Sequence, residues 1–311
     1  HVNAWGFPFA ALNFGANIVL PGPMMTPSLI LYLIEQEKVT ITAGVPTIWL
    51  GALAELEKQP RDLSSIRLII SGGSASPKGL IQAYNEKLKV PYVNAYGMTE
   101  TSPLVSMSHP TTEMNSYTDD EMLNIRVTQG LTVSLIETEV VNEKGPVPWD
   151  GETMGELRVR GPWIVSEYYK DDRTNEAFRD GWLYTGDIAV LTKEGYIKIT
   201  DRTKDLIKSG GEWISSVDLE NALMSHPDVF EAAVIAVPHP KWQERPLACV
   251  VLKEDAHATK EELLQFIEQD FAKWWLPDDI VFLKEIPKTS VGKFLKAKLR
   301  EELKDYEVQT S

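Results

Sequence analysis

Cysteine is almost absent from this chain, with one residue, Cys249, in 311. No disulfide framework can be built from it. Its setting in Leu247-Ala248-Cys249-Val250-Val251-Leu252 reads as a buried strand, so the thiol is a small core residue rather than a nucleophile or ligand. A reducing cytoplasm is the natural compartment for such a chain. Positive charge is also scarce: 31 Lys and Arg against 45 Asp and Glu leave a net charge of -14. That argues against a nucleic-acid partner, because a basic face would need very uneven charge placement, and anionic substrates would need locally placed cations. Long apolar runs are missing too, and the longest, at 66–70 and 229–237, fall far short of a membrane span. No transmembrane segment is predicted. His109, His226, His239 and His257 match no ligand spacing and read as loop or cap residues. No charged n-region opens the chain, so it begins with neither a signal peptide nor an ordinary translation start, and the expectation is that it starts inside something larger.

With 43% hydrophobic and 24% charged residues, the chain is long enough for a large core and for two domains. Thr26-Pro27 signals a capped helix over 28–37, residues 39–42 a short strand, and 43–47 a turn into a helix over 48–58. Leu68-Ile69-Ile70 reads as a strand running into the loop 71–77, followed by a helix over 78–89 and a strand over 91–94. Strand, loop and helix alternate, which favours a parallel sheet with ligands bound at the carboxyl ends of its strands. From 131 to 200 the texture changes to short alternating strands with Gly and Pro turns, which predicts a small antiparallel sheet or barrel. Beyond Asp201, a helix over 216–225 capped by Ser215, two strands and a second helix opening on Thr259 with Glu262 make a compact α+β unit. The boundary falls near Arg202. Trp274 and Trp275 are expected to pack this smaller unit.

Several short runs carry chemistry. In Tyr96-Gly97-Met98-Thr99-Glu100-Thr101 a hydroxyl and a carboxylate sit side by side, which suits a phosphate oxygen and a Mg²⁺ ligand or, more plainly, a helix start. Tyr184-Thr185-Gly186-Asp187 puts after glycine a carboxylate that could accept both hydroxyls of a ribose or serve as an ordinary turn residue. Gly72-Gly73-Ser74 would let a flat ring lie against backbone, or is a tight turn. Residues 201–216 combine charge, Gly210-Gly211 and Trp213 between a strand and a capped helix, either a surface loop or a hinge whose amides approach a ligand. Lys293 lies just past the glycine turn of Pro287-Lys288-Thr289-Ser290-Val291-Gly292-Lys293; a solvated lysine is the default there.

Taken in order, Ser71-Gly72-Gly73-Ser74-Ala75, Tyr96-Gly97-Met98-Thr99-Glu100, Gly155-Glu156-Leu157-Arg158-Val159-Arg160-Gly161-Pro162, Tyr184-Thr185-Gly186-Asp187, Asp201-Arg202-Thr203-Lys204-Asp205 and the run ending in Lys293 resemble the adenylate-forming superfamily over essentially the whole chain. Within it, His1-Val2-Asn3-Ala4-Trp5-Gly6, Gly210-Gly211-Glu212-Trp213-Ile214-Ser215 and Lys273-Trp274-Trp275-Leu276-Pro277 are similar to the fatty acyl-CoA synthetase branch, close to medium- and long-chain fatty acid and methylmercaptopropionate CoA ligases. The resemblance implies an α/β plus α+β fold. Residues 1–200 would be the C-terminal part of a large α/β adenylation domain with a β-barrel-like subdomain at about 131–200. Residues 201–311 would be a small mobile C-terminal domain hinged at Lys204.

The implied activity joins a fatty acid, ATP and coenzyme A in two steps, with Mg²⁺ as cofactor. The acid first gives an acyl-adenylate and pyrophosphate, then the CoA thiol displaces AMP. By resemblance, Lys293, Thr99, Glu100 and His1 would be catalytic, with Glu100 holding Mg²⁺. Gly73, Ser74, Asn94, Ala95, Tyr96, Gly97, Thr99, Asp187, Arg202, Lys204 and Lys293 would contact the nucleotide. His1, Val2, Trp5, Lys208 and Trp213 would contact the acyl group or its adenylate, and Gly210 and Gly211 coenzyme A. A homodimer of the full-length enzyme is compatible with this reading. The departure from the family is a Gly- and Ser/Thr-rich phosphate loop, expected ahead of His1 and found nowhere in the chain. The chain is therefore expected to be a truncated part of the enzyme. The alternatives are an inactive remnant acting as a binding or interaction module, or another acid-CoA ligase such as one for methylmercaptopropionate.

Overall fold

The computed structural model describes residues 2–289, 294–304 and 306. The chain divides into two compact units, His1–Thr185 with Val190–Ile199, and Gly186–Ala189 with Thr200–Ser311.

The first unit opens with α1 (Val2–Trp5) and α2 (Phe7–Asn13). The Thr26 hydroxyl then accepts from the Leu29 amide at 3.3 Å and Pro27 begins α3 (Pro27–Gln36), as the sequence signature predicts. The next strand, β1 (Ile41–Gly44), starts two residues later than expected, and α4 (Pro46–Lys58) two residues earlier, because Pro46 suits the first turn of a helix. Then come β2 (Leu68–Gly72), α5 (Lys78–Gln82) and β3 (Tyr92–Tyr96). The helix predicted to reach residue 89 is α only to Gln82 and widens to a π turn at Ala83–Lys87. Asn85 marks the change: it donates to Ile81 O at 2.9 Å and accepts from the Tyr92 amide at 3.2 Å, drawing the turn toward β3.

β1, β2 and β3 run parallel, and β4 (Ser106–Met107) and β5 (Leu131–Thr132) extend the sheet antiparallel in the order β1-β2-β3-β4-β5. Residues 131–132 thus belong to this first sheet rather than to the next. Between these two strands lies α6 (Asp119–Arg126), whose Leu123 joins Leu31, Trp49, Ile69, Ile81 and Tyr92 in the core under the parallel strands. The second sheet comprises β6 (Glu137–Asn142), β7 (Gly145–Pro146), β8 (Gly155–Arg160), β9 (Phe178–Arg179), β10 (Trp182–Leu191) and β11 (Ile197–Arg202), with α7 (Arg173–Ala177) leading into β9. Its order is β11-β10-β8-β6-β7, with β9 on β10.

In the second unit, β12 (Ile207–Ser209) and β13 (Glu212–Ile214) form a hairpin where the sequence suggests a loop. Gly210 and Gly211 have φ of 60° and 92°, the two positive values a tight two-residue turn demands. Ser215 caps α8 (Ser216–Met224) by accepting from the Asp218 amide at 3.0 Å. Then follow β14 (Val229–His239), β15 (Gln243–Leu252), α9 (Lys260–Glu268) with the expected Thr259–Glu262 capping box, β16 (Asp279–Phe282) and α10 (Lys296–Glu302). Helices cover both faces of this sheet. Ala232, Val234, Ala248 and Val250 face the core that contains Leu219 and Leu263, while Ala233, Ile235, Leu247 and Cys249 face the one that contains Leu299. Burial pushes the Cys249 thiol up to about 12, in keeping with a core role. Trp275 packs into the first of these cores, while Trp274 is nearly half exposed, its ring meeting Trp275 edge-to-face and its carbonyl accepting from Arg245. Among the described residues no helix is long and apolar enough to cross a membrane.

Candidate functional site

In the first unit the carboxyl ends of β2 and β3 release two loops. A Cβ on Gly72 would stand 2.8 Å from Ala95 O, so only glycine lets β2 lie this close to that carbonyl, and the Trp5 ring comes within 3.6 Å of the same point. Gly73, at φ 87°, and Ser74 are exposed beyond it. The loop is tethered below by Ser76, whose hydroxyl lies 3.2 Å from Ser71 Oγ and 3.0 Å from the Tyr92 hydroxyl. On β3, Asn94 is buried and its Nδ2 donates to Arg126 O at 3.0 Å and Thr128 O at 3.2 Å. Both donations fix the amide orientation and leave Oδ1 buried without a partner among the described residues. An unmet acceptor of this kind fits an incoming amino group such as that of adenine. Ala95 and Tyr96, half-buried, complete the strand.

Gly97 turns the chain where a Cβ would fall 1.7 Å from Pro103 O. The turn is held by Thr101 Oγ1, which accepts from the Met98 amide at 2.9 Å and donates to Pro103 O at 2.9 Å. It presents Thr99 to solvent and half-buries Glu100. The Tyr168 hydroxyl donates to Glu100 Oε1 at 2.8 Å, and the Val165 amide to its carbonyl at 2.9 Å. Burial, helped by the Glu100 carboxylate, pushes the Tyr168 hydroxyl up to about 12, so it stays a donor at neutral pH. No cluster of three metal-binding side chains occurs among the described residues. A single oriented carboxylate beside a hydroxyl fits Mg²⁺ that arrives with substrate phosphates, since that ion takes one or two carboxylates and keeps its other positions for phosphate and water.

In the second unit Asp187, 2% exposed, receives Arg202 Nε on Oδ1 at 2.6 Å, while the arginine side chain remains 48% exposed. The Thr203 amide and hydroxyl both donate to Gly186 O, at 2.9 and 3.1 Å, strapping the end of β11 to the residue before Asp187. After Arg202 the chain turns tightly, with the Asp205 and Leu206 amides returning to Arg202 O, and Lys204 lies exposed in that turn. Lys208 and Trp213 are exposed on β12 and β13. Gly210 donates its amide to Trp242 O at 2.9 Å, and a Cβ there would meet the Trp242 ring at 2.8 Å. The Gly210 amide is thus already engaged within the unit.

The structure therefore brings together Gly72, Ala95 and Trp5 in one unit and Asp187 with Arg202 in the other. His1 and Lys293 lie outside the described residues, as does the side chain of Val2. Sequence reasoning missed Tyr168, Trp242 and the buried charges Glu220 and Lys296, and gave Asp201 no role of its own within its motif. For Glu220 and Lys296 a signal was present: each is an ionisable residue among the apolar positions of a helix, beside Leu219 and Leu223 or ahead of Leu299.

Residues 1–169 match the AMP-binding enzyme family, and residues 218–293 its C-terminal domain. Over 309 residues the chain is 50% identical to a long-chain-fatty-acid–CoA ligase of Thermus thermophilus, covering 98% of this chain and 57% of that one. It is 44% identical over 306 residues to a 3-methylmercaptopropionyl-CoA ligase of Ruegeria lacuscaerulensis, with the same coverage of 98% and 57%. Among solved structures, o-succinylbenzoate CoA synthetase of Bacillus subtilis in complex with its acyl-adenylate intermediate aligns with a TM-score of 0.80 at 30% identity, covering 96% of this chain and 58% of that one. The anthranilate CoA ligase AuaEII in complex with anthranoyl-AMP aligns at 0.81 and 29%, covering 92% and 54%. The chain spans a little over half the length of these relatives. Its α/β and α+β architecture is that of the C-terminal part of an adenylation domain, and with more than half its residues matched, the chain belongs to the AMP-binding enzyme family.

Proposed function

We propose that this chain is part of an ATP-dependent fatty acyl-CoA synthetase acting in the cytoplasm. The observation that carries the reading is the pair Asp187–Arg202: a buried carboxylate oriented by a half-exposed guanidinium is built to accept ribose hydroxyls while offering positive charge to a nucleotide. Gly73, Ser74, Asn94, Ala95, Tyr96 and Gly97 would form the adenine side, with the unmet Asn94 Oδ1 as acceptor. Trp5, with Val2 and His1, would line the acyl path.

In the first step a carboxylate oxygen of the acid attacks the α-phosphorus of ATP and pyrophosphate leaves. Two anions must approach, so Thr99 would donate to an α-phosphate oxygen and Lys293 would place its ammonium between them. Mg²⁺ at Glu100 would offset the phosphate charge, and Tyr168 holds that carboxylate in place. In the second step the CoA sulfur attacks the acyl carbonyl carbon and AMP leaves. Lys204, in its exposed turn, would be the pivot by which the domain 201–311 moves against 1–200 between the steps, bringing Gly210 and Gly211 toward the thiol and Lys208 and Trp213 toward the adenylate.

The test is exchange of labelled pyrophosphate into ATP with medium-chain fatty acids, on this chain and on a version extended to the full length of its relatives. Exchange is expected in the extended version. Exchange in neither overturns the enzyme reading in favour of a binding module. Exchange only with 3-methylmercaptopropionate would move the substrate class to the thioether acid named for one relative.

A further inference from the structure

Three ionisable residues of the second unit, Asp201, Glu220 and Lys296, lie buried or nearly so where ordinary packing would place none. Lys296 Nζ, at the start of α10, donates to Glu220 Oε1 at 2.6 Å and to Ser216 Oγ at 2.6 Å. The Ser216 amide donates to Asp201 Oδ2 at 2.7 Å, and Asp201 Oδ1 receives the Arg202 amide at 2.7 Å. Glu220 Oε1 also accepts from the Val234 amide at 2.7 Å. One turn further along α10, Arg300 donates to Asp205 Oδ1 at 2.7 Å. Burial pushes the Lys296 ammonium down, but the charges of Glu220 and Asp201 outweigh it and keep it protonated. Burial likewise raises both carboxylates.

Residues 296 and 300 are four apart and share one face of the helix. Lys296 is linked through Ser216 to Asp201, the residue that precedes Arg202, and Arg300 bonds directly to the residue three beyond it. The short turn at 202–205 is thus gripped on both sides by a single helix. Buried ion clusters contribute little net stability compared with apolar side chains of the same size, so their physical value is in fixing one geometry. The geometry fixed here is the backbone of Arg202, through the carboxylate of Asp201.

We propose that Lys296 is a positioning residue for nucleotide recognition, holding Arg202 in register with Asp187 through Ser216 and Asp201. The inference rests on the reading of Asp187 and Arg202 as a ribose site. It assigns to α10 a task that does not involve Lys293.

The test measures AMP affinity by isothermal titration alongside thermal unfolding, on the full chain, for Arg202→Ala, Lys296→Met, Lys296→Arg and the double variant Lys296→Met with Glu220→Gln. The double variant removes the ion pair without leaving Glu220 charged and unpaired, and keeps the experiment informative if Lys296→Met alone unfolds. Arg202→Ala and both Lys296→Met proteins are expected to bind AMP about tenfold more weakly, and Lys296→Arg to recover most of the loss. A double variant that melts like the unaltered chain and binds AMP equally well overturns the inference, as would a melting shift in Lys296→Met with no change in affinity. If Arg202→Ala binds AMP as the unaltered chain does, or the unaltered chain binds none, the ribose site itself is wrong and the inference falls with it.

Discussion

At Gly97 the site depends on one missing methyl group. Its Cβ would lie 1.7 Å from Pro103 O and 3.0 Å from Thr101 Oγ1, and backbone cannot yield as the tip of a side chain can. Gly97→Ala is therefore expected to lower the free energy of unfolding by about 3 kcal/mol, read from the urea midpoint at unchanged slope. A loss below about 0.5 kcal/mol would show that the turn relaxes freely. The glycine was legible in its motif, but the reason for it was not: Pro103 is six residues away and nothing in the spacing says that its carbonyl folds back. The same holds for Tyr168, which reaches Glu100 across 68 positions. Pairings across such separations are set by the fold and leave no local pattern. Asp187 and Arg202 were legible because each sits in a short run whose composition already suggested chemistry.

At the scale of the element, local hydrogen bonding leaves clear marks in sequence. The caps at Thr26, Ser215 and Thr259 lie where a hydroxyl precedes a periodic run, and all three accept the expected amide. The hairpin at 207–214 was less legible because Gly210-Gly211 serves equally as a flexible loop or as a turn with two positive φ values. The π turn at 83–87 had no signal, since Asn85 bonds to β3 as well as to its own helix.

The turn at Asp150 carries a pH dependence. Its carboxylate accepts from the Glu152 and Thr153 amides at 2.9 and 2.8 Å and from the Thr153 hydroxyl at 2.6 Å, which lowers it from 3.8 to about 2. A carboxylate depressed by folding stabilises the fold fully above its unfolded value and ceases to do so as pH falls through its folded one. The melting difference between the unaltered chain and Asp150→Ala should thus be constant above about pH 4 and shrink toward zero near pH 2. A difference that persists at pH 2 would show that packing, not charge, supplies it.

Across the whole molecule, the segment from Phe7 to Met25 differs from the rest. No residue of α2 is buried, and Phe9, Leu12, Phe14, Leu20, Met24 and Met25 are all exposed. Contiguous exposed apolar side chains bind apolar solutes. The chain is expected to enhance the fluorescence of a hydrophobic dye at neutral pH, and Phe14→Ser with Leu20→Ser to reduce that signal by at least about half. Equal signals from the two proteins would place the dye elsewhere. The alternation of strand and helix was legible because burial on a parallel sheet writes apolar runs into β2 and β3. The division of the chain was harder to place, because β10 and β11 each contribute residues to both units.

The two-faced sheet of the second unit has a consequence for how the strand β15 finds its place. In a sheet with one wet side, sliding a strand by one residue turns its greasy side to water, and that penalty sets the alignment. Leu247 to Val251 are apolar at every position, so a slip there would merely exchange one oily surface for another. The alignment must come from the strand's polar end. Beside the short connection 240–242 that joins it to β14, Arg245 anchors that end: Nε meets Asp278 Oδ1 at 2.7 Å, one terminal nitrogen Leu276 O at 3.0 Å, and the other Ser209 Oγ at 3.2 Å. A single guanidinium works as the gauge pin of the strand, and the mates that it finds help decide which of two equally oily threadings the chain adopts.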